Sequence, residues 1–334
     1  MVTTSYPVAD GVKFPIMLLT HPRSCSTAFE RVLMTRRDAL SCLNEPFADP
    51  SFFGPEACVE RHHANGEIGA RPGFEDCTFK SRMELIEMEN VLDKRCFVKD
   101  MAFQLSPWQE KKLDKGPRIA PSYSSLQTDG DFDNPSVLPL PILSRFTWTF
   151  LIRHPQQSIP SLYRLSATPE KREATGWQYF LGSEAGYREL RQLFDYLDSQ
   201  GLLGDTNRQQ QGNGYSGPCV IDAADLLKQP ERTVEAYCNY VGLDYQPAML
   251  QWDTLEDDEQ AAEVFATWTG FHMDAIRSRG LKKKDGVKIP TSAKNDYDSW
   301  VAEFGAEGAR IIQDTIDANL VHYLYLKKFA MRLD

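Results

Sequence analysis

The sequence predicts an α/β fold of three layers, a central parallel sheet flanked by helices. Three observations carry the prediction. Four short apolar runs, at residues 16–20, 96–99, 146–152 and 219–222, are continuously hydrophobic instead of alternating, as strands buried on both faces are. Three of the four lead closely into helix-patterned sequence, and strands that alternate with helices imply parallel neighbours joined by right-handed crossovers. Residues 255–334 are patterned mainly as helix and are expected to pack on that sheet, so residues 1–334 are read as one domain.

The elements follow in order. After the first run comes a helix pattern over 27–37 with Phe29, Val32 and Leu33 on one face; Thr27 and Glu30 have the spacing of a capping box. A helix pattern over 156–165 follows the third run. Patterns over 223–227 and 231–241 follow the fourth, the second closed by Gly242. The C-terminal part divides into helix patterns over 259–276, 295–316 and 319–332. Residues 107–144, rich in Pro, Ser, Asp and Gly, are expected to form a lid or flexible insertion. Residues 207–217, NRQQQGNGYSG, read as an exposed polar turn.

The formal net charge of −10 argues against a nucleic-acid partner, which requires a basic face. It leaves room for one small anion held by a few local cations. The 7 cysteines include no C-x-x-C pair and suit a reducing compartment. The start, MVTTSYPVADGVK, lacks a signal-peptide pattern, and no apolar run approaches the roughly 20 residues that span a bilayer. A cytoplasmic protein without a membrane partner is expected. His62 and His63 are adjacent in a polar turn and read as surface residues, so no metal is expected.

The stretch LLTHPRSCSTAFERVL (18–33) turns from a buried strand into a helix through Arg23, Ser24, Cys25, Ser26 and Thr27. Such a loop presents backbone N–H groups, hydroxyls and the positive end of a helix to one point, and a phosphate or sulfate fits there. A plainly capped helix fits the same residues. The loop lacks the glycines and lysine of G-x-x-x-x-G-K-[ST], which argues against a kinase or another ATP-using enzyme of that type. A second strand ends at Arg153, with Pro155 two residues on and Ser161 eight residues on.

Taken in this order, the two motifs resemble those of the sulfotransferase family that uses 3′-phosphoadenosine 5′-phosphosulfate (PAPS). Its 5′-phosphosulfate loop, P-[RK]-S-G-[ST]-T, is similar to Pro22-Arg23-Ser24-Cys25-Ser26-Thr27. Its 3′-phosphate motif matches Arg153, Pro155 and Ser161, and its E-P-F matches Glu45-Pro46-Phe47. The likeness extends through 220–252 and covers most of 14–290. It implies a P-loop-like fold and in-line transfer of a sulfuryl group to a hydroxyl or amine of a small molecule, without a metal. Arg279 and Gly280, in the basic run 277–284, are the best match to the family's R-K-G loop over the 3′-phosphate.

Two departures stand out. Cys25 occupies a glycine position, and cysteine adopts positive φ poorly, so the loop is expected to differ. The K-T-H of many members reads Lys99-Asp100-Met101 here, so their histidine base is missing. Lys99 is then expected to stabilise charge on the transferring group. Glu45 is the first candidate base and Asp100, ending the middle strand, the second. His21 and His154 are further candidates within the motifs. The altered base also admits elimination or cyclisation of a sulfonated hydroxyl, or a non-catalytic nucleotide-binding member of the fold. An aromatic-rich middle, including Phe47, Phe52, Phe53, Trp108, Tyr123 and Trp177, suits an apolar acceptor pocket.

Overall fold

A computed structural model describes residues 13–61, 70–107, 118–204, 217–267, 269–283 and 293–333. Five strands form one parallel sheet: β1 (Ile16–Thr20), β2 (Leu40–Asn44), β3 (Arg95–Met101), β4 (Thr147–Ile152) and β5 (Cys219–Asp222), in the order β2-β3-β1-β4-β5. All pairings are parallel, with Ile16 opposite both Phe97 and Thr147. The four expected strands are present. β2 is the addition: LSCLN is a half-buried edge strand without a long apolar run, so continuous hydrophobicity does not reveal it.

Alternation along the strands sorts side chains onto two faces. Met17, Leu19, Val98, Trp148 and Phe150 face one side. They meet helices α3 (Phe79–Glu89), α7 (Tyr187–Ser199) and α12 (Ala293–Lys327). Ile16, Leu18, Phe97, Leu151 and Ile221 face the other side. They meet α1 (Ser26–Met34), α8 (Ala223–Lys228) and α9 (Pro230–Val241). The layers are therefore helix, sheet, helix.

The remaining helices are α2 (Ala48–Phe52), α4 (Leu140–Leu143), α5 (Pro155–Tyr163), α6 (Pro169–Thr175), α10 (Leu255–Val264) and α11 (Thr269–Arg277).

Several expectations need correction. The pattern over 259–276 is two helices, α10 and α11. The last two patterns are one run, and its break falls at Gly305 (φ 77°, ψ 169°) instead of near 317. α1 is not closed by a capping box: its N-cap is Cys25 with no side-chain bond, and Thr27 and Glu30 are engaged elsewhere. Residues 118–144 are not a loose lid. Tyr123, Val137, Leu138, Ile142 and Leu143 are buried in the core. Asp131, fully buried, accepts from the backbone N–H groups of Thr128 and Leu140 and from Asn134 Nδ2. Residues 108–117, the turn at 205–216, His62, His63 and Lys284 lie outside the described residues.

Candidate active site

A cavity of about 570 Å³ opens at the carboxyl ends of β1, β3 and β4, where ligands enter open α/β sheets. It has a polar part, an apolar part and a titratable junction between them.

The polar part is the turn after β1. Arg23 (φ 62°) and Cys25 (φ 74°) both adopt the left-handed conformation. That conformation curls the backbone into a nest whose N–H groups converge. Cys25 therefore takes the shape glycine would take, contrary to the expected change of loop, at a cost of about 1 kcal/mol. Arg23, Cys25, Ser26 and Thr27 line the cavity. Ser24 does not: it is fully buried, its Oγ 2.7 Å from Thr20 Oγ1, and it braces the turn.

The second motif meets the first, though not through a shared Arg153–Ser161 contact. Arg153 Nη1 donates to the Arg23 carbonyl (3.0 Å), and Arg23 Nε donates to Ser161 Oγ (2.9 Å). His21 and Tyr187 hold the Arg153 backbone from both sides. Its N–H donates to His21 Nε2 (2.9 Å), and Tyr187 Oη donates to its carbonyl (2.6 Å). Burial drives the His21 pKa down to about 3, and both ring nitrogens are engaged, so His21 is a strut and not a base. His154 accepts from the Gln156 N–H at the start of α5 and likewise shapes its turn.

Arg279 and Gly280 reach the rim together with Lys282. Arg279 is exposed and paired with Asp258 at 2.5 Å. Gly280 is required by close approach: a Cβ there would stand 2.7 Å from the Leu250 carbonyl oxygen.

The apolar part is walled by Phe52, Met101, Phe103, Leu162, Leu165, Trp177 and Phe271. Trp177 is fixed between Phe271, at 4.9 Å centroid distance, and the Arg61 guanidinium, 4.3 Å from its ring. Of the other expected aromatics, Phe47 and Tyr123 are core residues and Trp108 lies outside the described residues.

The junction joins four segments. Lys99 and Asp100 are neighbours on β3 and so point to opposite faces of the sheet. Lys99 Nζ lies 2.6 Å from Glu45 Oε1 and 3.8 Å from Glu30 Oε2 of α1. Gln104 Nε2 donates to Glu45 Oε2 (3.0 Å). Burial raises the Glu45 carboxyl, but Lys99, His272 and Gln104 outweigh it and hold it below the ordinary range. Burial lowers the Lys99 ammonium, and the two glutamates more than restore it. The Glu30 carboxyl oxygens lie beyond hydrogen-bond distance of any partner among the described residues, with Lys99 Nζ nearby at 3.8 Å, and burial raises the pKa to about 8.

Two expectations change here. Lys99 is fully buried behind Glu45 and does not line the cavity, so it acts through Glu45. Asp100 is also off the cavity wall. Burial, then the Glu45 charge, raises its pKa, yet its oxygens accept the Phe47 (2.9 Å) and Met101 (2.8 Å) N–H groups. It fastens the Glu45–Phe47 turn and is not the base.

Sequence reasoning missed His272 of α11. It is buried, and its pKa is lowered to about 3 by burial and then by Lys99. Its Nδ1 lies 2.8 Å from Thr27 Oγ1, and its Nε2, without a hydrogen-bond partner, faces Glu45 Oε1 at 3.9 Å. Nothing local in GFHMDAIR marks this histidine; packing of α11 across the loop brings it there. Among the described residues, no group of three or more histidine, cysteine or acidic side chains is placed to hold a metal, and no helix is long and apolar enough to cross a membrane.

No family model matches the sequence. The chain is 26% identical over 339 residues to sulfotransferase ppzF of Metarhizium rileyi, covering 95% of this chain and 96% of that one. It is 27% identical over 271 residues to sulfotransferase ppzF of Metarhizium majus, covering 78% and 76%. Among solved structures it is similar to the sulfotransferase domain of a Synechococcus olefin synthase (15% identity, 89% and 96% covered, TM-score 0.34). It is also similar to mouse sulfotransferase SULT7A1 complexed with PAP (12% identity, 91% and 89% covered, TM-score 0.34).

Proposed function

We propose that this chain, a member of the sulfotransferase-fold family, transfers a sulfuryl group from PAPS to the hydroxyl of a small apolar acceptor. One observation carries the reading: a nest-shaped loop and an apolar lobe open into one cavity, with proton-accepting groups at their junction. Four cations line that cavity, Arg23, Arg153, Arg279 and Lys282, against two carboxylates, Glu45 and Asp274. This local excess of positive charge in an acidic chain suits a polyanionic nucleotide.

When bound, the donor supplies a sulfuryl sulfur that takes the acceptor's electron pair as its bond to the phosphate oxygen breaks and leaves its pair there. The protein positions and stabilises charge. In this reading the loop amides, Arg23, Ser26 and Thr27 hold the phosphosulfate end, and Arg153, Arg279 and Lys282 hold the 3′-phosphate end. Ser161 fixes the Arg23 guanidinium. The wall of Phe52, Phe103, Trp177 and Phe271 holds the acceptor and excludes water. The acceptor's proton leaves toward the face formed by Glu45 and His272. A neutral imidazole is ready to take it, and Glu45, kept ionised by Lys99, stabilises the imidazolium.

A ligand that binds only the folded state raises the unfolding midpoint. Adenosine 3′,5′-bisphosphate is expected to raise Tm well above the effect of equimolar ATP, and Arg153→Ala is expected to abolish the rise. No rise at millimolar bisphosphate would exclude this donor.

A further inference from the structure

We propose that Thr27 sets the tautomer of His272, so that the ring presents a proton-accepting Nε2 to Glu45 only while an anion fills the loop after β1. The proposal rests on the sulfuryl-transfer reading above and adds a coupling between the donor subsite and the proton-accepting group.

The argument begins with counting hydrogens. The buried imidazole is neutral, so it carries one N–H. The Thr27 hydroxyl has one hydrogen to donate and lone pairs to accept with. The Thr27 Oγ1–His272 Nδ1 contact of 2.8 Å admits two arrangements. In the first, Thr27 donates to Nδ1, and the ring proton sits on Nε2, directed at Glu45 Oε1 across 3.9 Å. In the second, Nδ1–H donates to Thr27, and the Nε2 lone pair faces the Glu45 carboxylate. The hydrogen bond made by one ring nitrogen thus decides the chemistry of the other.

Without a ligand the first arrangement wins. The second would set two acceptors, Nε2 and Oε1, facing each other with no hydrogen between them, beside an ionised carboxylate. An anionic oxygen in the loop reverses the balance. Thr27 lies on the cavity wall in the first turn of α1, directly after the nest formed by Arg23 and Cys25. Once its O–H donates to that oxygen, only its lone pairs remain for the ring, and the proton moves to Nδ1.

The 3.9 Å gap between Nε2 and Oε1 is then short of one hydrogen, and an acceptor hydroxyl entering from the apolar lobe supplies it. When the acceptor's O–H bond breaks, the proton goes to Nε2. The resulting imidazolium donates through Nδ1 to Thr27 and through Nε2 to Glu45. Phe265 also packs against the ring at 5.1 Å, Lys99 lies behind Glu45, and the Arg23 charge acts on the ring from the loop. With the loop empty, the proton-accepting nitrogen is blocked by its own hydrogen, so the base is switched on by the donor and not by the acceptor.

The test needs no acceptor. Histidine-15N protein contains 6 histidines, and His272→Asn identifies the His272 resonances by their loss. Long-range 1H–15N correlations distinguish Nδ1–H from Nε2–H. Spectra and Tm are recorded with and without saturating adenosine 3′,5′-bisphosphate. In wild type and in Thr27→Ser, which keeps the hydroxyl, the ligand is expected to shift His272 from mainly Nε2–H to mainly Nδ1–H. In Thr27→Val the Tm rise is expected to persist, reduced in size, while the tautomer stays the same with and without ligand. A Tm rise in wild type with no tautomer change overturns the coupling and leaves the donor reading standing. A Thr27→Val ring that responds like wild type overturns it too. No Tm rise in any form removes the donor reading and this proposal with it.

Discussion

The loop cradle and the titratable junction meet in one cavity, at the Thr27–His272 contact, and are built in opposite ways. The cradle is contiguous: five residues, 23–27, shape it through their own backbone, and its cations reach toward the cavity. The junction is assembled from distant segments, with Glu30, Glu45, Lys99, Gln104 and His272 converging around the Lys99–Glu45 pair. The difference teaches where ligand energy and folding energy are stored. Arg23 and Arg153 rest on neutral hydrogen-bond partners, whereas Lys99 and Glu45 are already paired with each other. Substitutions in the cradle are therefore expected to alter binding, and substitutions in the junction stability.

The sharpest way to break this distinction is to remove the junction's cation. Lys99→Met leaves the Glu45 carboxyl without its cation beside Glu30, both buried, so that it must either carry an unpaired charge or take up a proton. Removing one partner of a buried pair costs about 3–5 kcal/mol. Arg153→Ala, which removes the cation that rests on the cradle through the Arg23 carbonyl, is expected to cost about 1 kcal/mol or less while abolishing the Tm response to bisphosphate. Urea denaturation of the two variants compares them directly. Equal stability losses would erase the contrast.

Glu30 sharpens the comparison through pH. Its folded pKa, about 8, lies above its ordinary value of 4.5, so the folded state holds a proton that the unfolded state releases between those values. Stability from this group is complete below about pH 4.5 and falls by about 1.4 kcal/mol per pH unit up to about 8. Glu30→Gln is expected to flatten that decline, most visibly between pH 6 and 8. An unchanged slope would mean that Glu30 is ionised in the folded protein.

His21 gives a cradle-side counterpart of opposite sign. Its folded pKa, about 3, lies below its ordinary 6.5, so the unfolded state binds the extra proton. Its contribution is complete above about pH 6.5 and is lost as pH falls toward 3, again at about 1.4 kcal/mol per unit. His21→Phe keeps a ring against Tyr187, at 3.8 Å in the native stack, but orphans the Arg153 N–H, at a cost of about 1–3 kcal/mol near neutral pH. The acid slope of the variant should be smaller by about one proton. His272 titrates in the same window, so some slope remains.

The two regions also differed in how much the sequence revealed. The cradle was legible because its chemistry lies in adjacent residues and its strand is continuously apolar. Arg23, Ser26, Thr27 and Arg153 could be named from a motif and its spacing. The junction was half legible. Glu45 directly follows β2 and Lys99 lies within β3, so their pairing depends on β2–β3 register, and β2, an edge strand of five residues, carries too little hydrophobicity to be seen. Thr27-x-x-Glu30 has the spacing of a capping box, which predicts a helix cap at Glu30. The left-handed Cys25 moved the helix start and freed both side chains for other partners. His272 had no signal at all, since its role arises from a contact spanning 245 residues.

The smallest expected effect concerns Cys25, the one position where the cradle carries strain that the family pattern avoids. With φ at 74° its side chain crowds the backbone, at a cost of about 1 kcal/mol, partly offset by the lower chain entropy of a non-glycine residue when unfolded. Cys25→Gly removes both effects, and a net gain of up to about 0.5 kcal/mol is expected, about 1–2 °C in Tm for a chain of this size. Cys25→Val, β-branched in the same conformation, should lose at least as much as the glycine gains. Bisphosphate affinity in Cys25→Gly separates two uses of the strain. If affinity is unchanged, the nest is imposed by the surrounding fold, chiefly by Ser24 on Thr20 and Arg153 on the Arg23 carbonyl. A several-fold loss would instead show that the cysteine, by restricting the backbone, keeps the loop amides converged before the ligand arrives.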